Sequence, residues 1–148
     1  MDLEQLRQLM EEFIPFNRHL GIKITEMAPG RAVLSLPFRE HFVGDPLRPA
    51  LHGGVLSTVA DVAGGMAVWT NSADPRTRVS TIDLRVDYLR PARLETLNAI
   101  AVVVRQGNRV GVADVKLFHP SHPDDVIATG KGVYNVTLVK EKARPADA

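Results

Sequence analysis

The chain has 148 residues, a net charge of +1 and no cysteine. That length suits one domain, spanning 1–148, with room for a real core. The missing cysteine excludes disulfides, thiolate metal sites and a cysteine nucleophile, and the near-neutral balance offers no global field for nucleic acid or an anionic membrane.

The first element in chain order is an amphipathic helix. Leu3, Leu6, Leu9, Met10 and Phe13 recur at helical spacing, which predicts a helix over about 2–14, and Pro15 is expected to end it. Its start, MDLEQLRQLM, has neither the basic residues nor the apolar run of a secretory signal. It also lacks the basic polar face of a membrane anchor, so its expected role is to close the fold or an acyl pocket. With no stretch long enough to span a bilayer, the expectation is a cytoplasmic protein.

Two strands should follow, over about 20–27 and 31–38, turned at Pro29-Gly30. Residues 39–51 hold two prolines and a glycine and read as a loop. The longest helical pattern runs from Gly53 to about Thr70, with Val55, Leu56, Val59, Val62, Ala63, Met66 and Ala67 forming a broad apolar face. Four strand-like runs close the chain, over about 77–89, 94–105, 109–118 and 125–138. Gly107-Asn108 links the middle pair as a hairpin, and the prolines of HPSHPDD turn the last pair. The tail KEKARPADA is polar and expected to fray. This order predicts an α+β architecture with a mostly antiparallel sheet around one long helix. The other face of that sheet needs a cover, most simply a second copy of the chain.

The long helix holds the unusual chemistry. His52, Gly53 and Gly54 stand at its start, where unpaired N–H groups and a partial positive charge suit an oxygen gaining negative charge. The plainer reading is a glycine turn from loop to helix. Further along, Asp61 sits among Val59, Ala60, Val62, Ala63, Gly64 and Gly65. A carboxylate there is either solvated at the helix edge or paired and put to use, because burying it alone is costly. Gly64 and Gly65 each sacrifice about 1 kcal/mol of helix propensity relative to alanine, which points to close packing of a strand, a partner helix or a ligand. Gly54 and Asp61 are seven residues apart, or about 10 Å along a helix. One carbonyl group cannot reach both, so a reaction using both predicts a site shared between two chains.

These residues carry a family resemblance. The run from His52-Gly53-Gly54 to Asp61, the segment STIDLRVDYLRPA (80–92) and the hairpin RQGNRVGVADVKLF (105–118) occur in order. Together they resemble the hotdog-fold acyl-CoA thioesterases of the phenylacetate-pathway type, over about Leu20 to Val136. The resemblance implies a hotdog fold, a long central helix wrapped by a curved antiparallel sheet. It also implies homodimers that pair their sheets, commonly assembled into homotetramers, and metal-free hydrolysis of acyl-CoA with no cofactor. Carried over by position, Asp61 is the carboxylate that activates water or attacks the thioester carbon. Gly53 supplies the N–H that polarises the carbonyl, with Gly54 beside it. His52 supports the site, and Thr81 falls where several members place a hydroxyl that positions water.

One departure stands out. Members often carry an asparagine in the loop before the His-Gly-Gly run, and here Asp45 is the nearest candidate. An ionised carboxylate accepts but cannot donate as an amide does. For the phosphates of CoA, the cationic candidates are Arg90, Arg105, Arg109 and Lys131. The Arg105–Arg109 turn leads them, because Gly107 and Asn108 expose backbone donors there; solvated surface charge is the alternative. His119, His122, Asp124 and Asp125 lie in a proline turn without a spaced ligand motif, so no metal is assigned. Trp69 reads as core or interface packing. Two alternative functions remain open: a hydratase acting on enoyl thioesters, and a non-catalytic acyl-CoA-binding regulator. The helix interior carries no histidine to serve the first, and the 19 residues before the first strand are short for the DNA-binding module of the second.

Overall fold

The computed structural model describes residues 1–72 and 74–139; the tail at 140–148 lies outside the described residues. Asp2 caps the first helix, α1 (Leu3–Gln8), in a capping box with Gln5. The chain then widens into one π-helical turn, Leu9–Phe13. Pro15 does end the first helical pattern, but it also opens another. It stands at the first position of α2 (Pro15–Leu20), where its missing N–H costs nothing. The wide turn also breaks the helical phase. Leu6 and Met10 stay buried, whereas Phe13 is rotated outward and 66% exposed.

Strands β1 (Lys23–Ala28) and β2 (Arg31–Leu36) form the expected hairpin, with Gly30 at φ +74° taking the left-handed position that favours glycine. Residues 39–51 are more ordered than a loop. They hold a 3-10 turn (Glu40–Phe42) and a small antiparallel pair, β3 (Val43–Asp45) with β4 (Ala50–Leu51). The central helix α3 runs Gly53–Trp69. Strands β5 (Thr77–Tyr88), β6 (Leu97–Gln106), β7 (Val110–Phe118) and β8 (Ala128–Leu138) complete the chain.

Six strands form one antiparallel sheet in the order β1-β2-β6-β7-β8-β5, and α3 packs against β2, β5, β6, β7 and β8. This is the hotdog fold, α+β. Leu56, Val59, Ala63, Met66 and Ala67 of α3 meet inward residues of the sheet such as Leu34, Leu97, Ala99, Val115 and Leu117 in one core. The N-terminal helices stand across a cavity from the C-terminal half of α3. Glu11 docks them to β1, accepting from Ile24 N–H at 2.8 Å and from Lys23 Nζ at 3.2 Å. Among the described residues, no helix is long and apolar enough to cross a membrane.

Candidate active site

The start of α3 is built by its cap. The His52 backbone is extended (φ −63°, ψ 135°) and its Nδ1 accepts from Gly54 N–H at 2.8 Å, so the ring proton lies on Nε2. The second glycine's N–H is therefore committed to His52. The Gly53 N–H has no acceptor among the described residues. Its carbonyl accepts from Tyr88 Oη at 3.1 Å. Gly53 has no positive φ, and an added Cβ would stand 3.4 Å from the Tyr88 ring. What glycine provides here is a free N–H with no side chain crowding the gap to Tyr88, in a hollow bounded by Leu51, Leu56, Tyr88, Leu89 and Arg90.

Asp61 is half-buried, neither solvated freely nor sealed in the core. Thr81 Oγ1 donates to Asp61 Oδ1 at 2.8 Å, and the backbone carbonyl of Asp61 accepts from Tyr134 Oη at 3.1 Å. Tyr134 explains the two helix glycines. Its ring and hydroxyl lie against Gly64, Gly65 and Gly132, and a Cβ at Gly64 or Gly132 would collide with the phenol. A strand aromatic fills the space those glycines vacate. Burial, together with the nearby Asp61 charge, pushes the Tyr134 phenol above its ordinary range, so it remains a donor. Sequence reasoning missed Tyr134. The available signal was three glycines on packed elements facing one large residue.

Strand β5 holds both ends of the arrangement because of a bulge. Its register against β8 shifts between Thr81 and Asp83. Before the bulge Thr77, Val79 and Thr81 turn toward α3; after it Leu84, Val86 and Tyr88 do. Without the extra residue, strict alternation would put Tyr88 on the inner face only by turning Thr81 outward.

Gly53 and Asp61 are eight residues apart on one straight element, which is about 12 Å of rise. They open onto different hollows of the chain. Gly53 borders the one beside Tyr88; Asp61, Thr81 and Tyr134 border a cavity of about 200 Å³ that reaches toward Met10 and Trp69. The structure thus joins Asp61 with Thr81, and His52 with Gly53 and Gly54, but keeps the two groups apart within one chain.

Other candidates lie further off. Asp45 staples its own loop, accepting from Leu47 N–H at 2.9 Å and Arg48 N–H at 3.1 Å. The N–H groups of Arg48 and Leu47 hold its carboxyl below the usual range. Arg90 borders the Gly53 hollow and pairs with Asp125 at 3.2 Å. Arg105, Gly107, Asn108 and Arg109 are exposed in the β6–β7 hairpin, which Asn71 ties to Gln106 just beyond the C-terminal end of α3. A 17-residue helix, about 25 Å long, separates that hairpin from Gly53. Lys131 pairs with Asp114, beside Arg85 and Asp87. His119 donates from Nδ1 to the Thr96 carbonyl and accepts Arg93 N–H at Nε2, a loop staple.

This fold and this helix entry define a class. A family model described as the thioesterase superfamily matches residues 49–124, and the chain belongs to that family. It is a thioester hydrolase. Among relatives, it is 38% identical to the medium/long-chain acyl-CoA thioesterase YigI of Escherichia coli K12, with 77% of this chain and 84% of the relative covered. The Salmonella typhimurium protein of the same name is 36% identical, with 90% and 95% covered. Among solved structures, a thioesterase-superfamily protein from Shewanella oneidensis superposes with a TM-score of 0.80 at 31% identity, covering 91% and 95%. A thioesterase family protein from Silicibacter pomeroyi superposes at 0.83 with 26% identity, covering 92% and 98%.

Proposed function

We propose that this chain hydrolyses acyl-CoA thioesters to the free acid and CoA, in sites shared by two protomers. The observation that carries the reading is the pairing of an unsatisfied Gly53 N–H at the helix start with a hydroxyl-braced Asp61 beside a cavity. The names of the YigI relatives extend it to medium and long acyl groups.

The chemistry follows from the groups present. Water adds to the thioester carbon while Asp61 takes its proton, or Asp61 adds first and water opens the resulting anhydride. Thr81 occupies Oδ1, which leaves Oδ2 to face the reaction. Negative charge gathers on the carbonyl oxygen, and the Gly53 N–H of the partner protomer receives it. CoA departs as a thiolate, and a thiolate is a stable enough leaving group to exit without a strong acid. Arg90 stands at the mouth of the Gly53 hollow for a CoA phosphate, and the Arg105–Arg109 hairpin is the second such site, contributed from the far end of a helix. Strand β5 is an edge of the sheet, with β8 beside it among the described residues, and it carries Thr81 on Asp61, so of the two edges it is the one by which two sheets pair in the dimer. Two dimers then form the tetramer, in the cytoplasm.

Thiol release from a series of acyl-CoAs tests the activity. The shared site is tested by mixing Asp61→Asn chains with Gly53→Pro chains. Heterodimers carry one intact site and should regain about a quarter to a half of wild-type turnover. Proven heterodimers with no activity would rule out sharing.

A further inference from the structure

The N-terminal helices do more than close one end of the core. The cavity that begins at Asp61 and Thr81 continues along one face of α3, past Val62, Gly65 and Met66, to Trp69. Those positions follow helical spacing, so they form one floor, and Trp69 lies eight residues from Asp61, about 12 Å away along the axis. Across from that floor stand Met10, Ile14 and Asn17, contributed by the π turn and α2.

This wall is held in place by a specific arrangement. Ile14 N–H bonds to the Leu9 carbonyl, and Pro15 has no N–H to offer Met10. The Met10 carbonyl is filled instead by Asn17 Nδ2 at 3.0 Å, from a side chain only 3% exposed. Since a carbonyl only accepts, the amide nitrogen must face it. The clamp fixes where Met10 and Ile14 stand, and Glu11 ties the same turn to β1. Apart from Asp61, Thr81, Tyr134, Asn17 and the indole N–H of Trp69, the side chains on the cavity are apolar or absent. Such a space suits hydrocarbon.

We infer that the π turn and α2 form the end wall of the acyl pocket, with Met10, Ile14 and Trp69 as the residues that set acyl-chain length. The inference rests on the acyl-CoA reading above. An apolar cavity of about 150 Å³ accepts a benzene ring; at the same ratio, about 200 Å³ holds an acyl group of about eight carbons. Longer chains must displace the flexible Met10 thioether, which has the freedom to move.

Two measurements test this. The first is kcat/KM for saturated acyl-CoAs from acetyl to palmitoyl, in wild type, Met10→Ala and Ile14→Phe, with near-ultraviolet circular dichroism to verify folding. Met10→Ala should raise the lauroyl-to-octanoyl ratio about tenfold or more, and Ile14→Phe should lower it, since each methylene admitted or refused is worth about tenfold or more. The second uses Trp69, the chain's single tryptophan, in the Asp61→Asn protein, where substrate persists. Octanoyl-CoA should change its emission and acetyl-CoA should not. Hydrolysis with the same length profile in all folded variants, or octanoyl-CoA binding by calorimetry with silent Trp69 emission, overturns the end wall and leaves the thioesterase reading intact. A wild type that neither binds nor hydrolyses any acyl-CoA overturns both.

Discussion

Thr81 on an edge strand donates a 2.8 Å hydrogen bond to the carboxylate of Asp61 on the central helix. The two residues are 20 positions apart in sequence, and the β5 bulge that follows Thr81 lets it face the helix while Tyr88 does the same further along. The bond orients a half-buried carboxylate with one oxygen occupied and one free. Asp61→Asn should therefore lower kcat by at least about 10²-fold with the fold intact, the lower range for losing a general base. Thr81→Val should lower it by about tenfold, in line with about 1.5 kcal/mol for a bond to a charged group, and Thr81→Ser should retain most activity. Steady-state kinetics on the three folded variants checks this; a fully active Asp61→Asn would remove Asp61 from the chemistry.

Gly53 offers an unusually clean substitution. It occupies the first helical position, where proline is well tolerated, and His52 before it already has the extended backbone that a following proline requires. Gly53→Pro should fold normally while deleting the free N–H. The expected loss is about 10²–10³-fold in kcat, as for removal of one oxyanion donor. Gly53→Ala keeps the donor but adds a methyl group in the approach path beside Tyr88, so it too should reduce kcat more than substrate binding. A Gly53→Pro enzyme with wild-type kcat would mean that the carbonyl is polarised elsewhere.

The fit of Tyr134 against the helix predicts coupled stability effects. In Gly64→Ala the new methyl group meets the phenol, and overpacking of about 1–3 kcal/mol outweighs the roughly 1 kcal/mol gained in helix propensity. Gly65→Ala should cost less, because its Cβ would sit 3.3 Å from the ring edge. Tyr134→Phe alone gives up the bond to the Asp61 carbonyl, about 1 kcal/mol. Combined with Gly64→Ala it should recover part of the loss, and denaturant unfolding of the four proteins gives the coupling energy.

Alkaline pH supplies a further test of Tyr134. Its folded-state pKa is raised by burial and by Asp61, whereas in the unfolded chain it titrates near its model value of 10.0. Above that pH the unfolded state releases a proton that the folded state keeps. Stability is therefore complete below about pH 10 and declines as pH rises beyond it. Tyr134→Phe should flatten this decline. Equilibrium unfolding between pH 8 and 11 would show it, and identical slopes in the two proteins would contradict the assignment.

Local patterns settled much of the architecture. The helix expected over Gly53 to about Thr70 is Gly53–Trp69, and the four later strands appear within a few residues of their expected bounds. Apolar periodicity, the Pro29-Gly30 turn and the Gly107-Asn108 hairpin are short-range signals, written in neighbouring residues. The same is true of the His52 cap and of the lone carboxylate at Asp61. Only the tertiary structure decided that Pro15 opens a second helix as it closes the first, that a π turn rotates Phe13 outward, and that residues 43–51 pair as short strands. It also decided that Tyr134 fills the space beside Gly64 and Gly65, and that a bulge lets β5 hold Thr81 and Tyr88 toward one helix. These outcomes depend on which surfaces meet across the chain. A glycine pair announces that something packs closely, but the partner, 70 residues away, is chosen by sheet order and register, to which no local periodicity is sensitive.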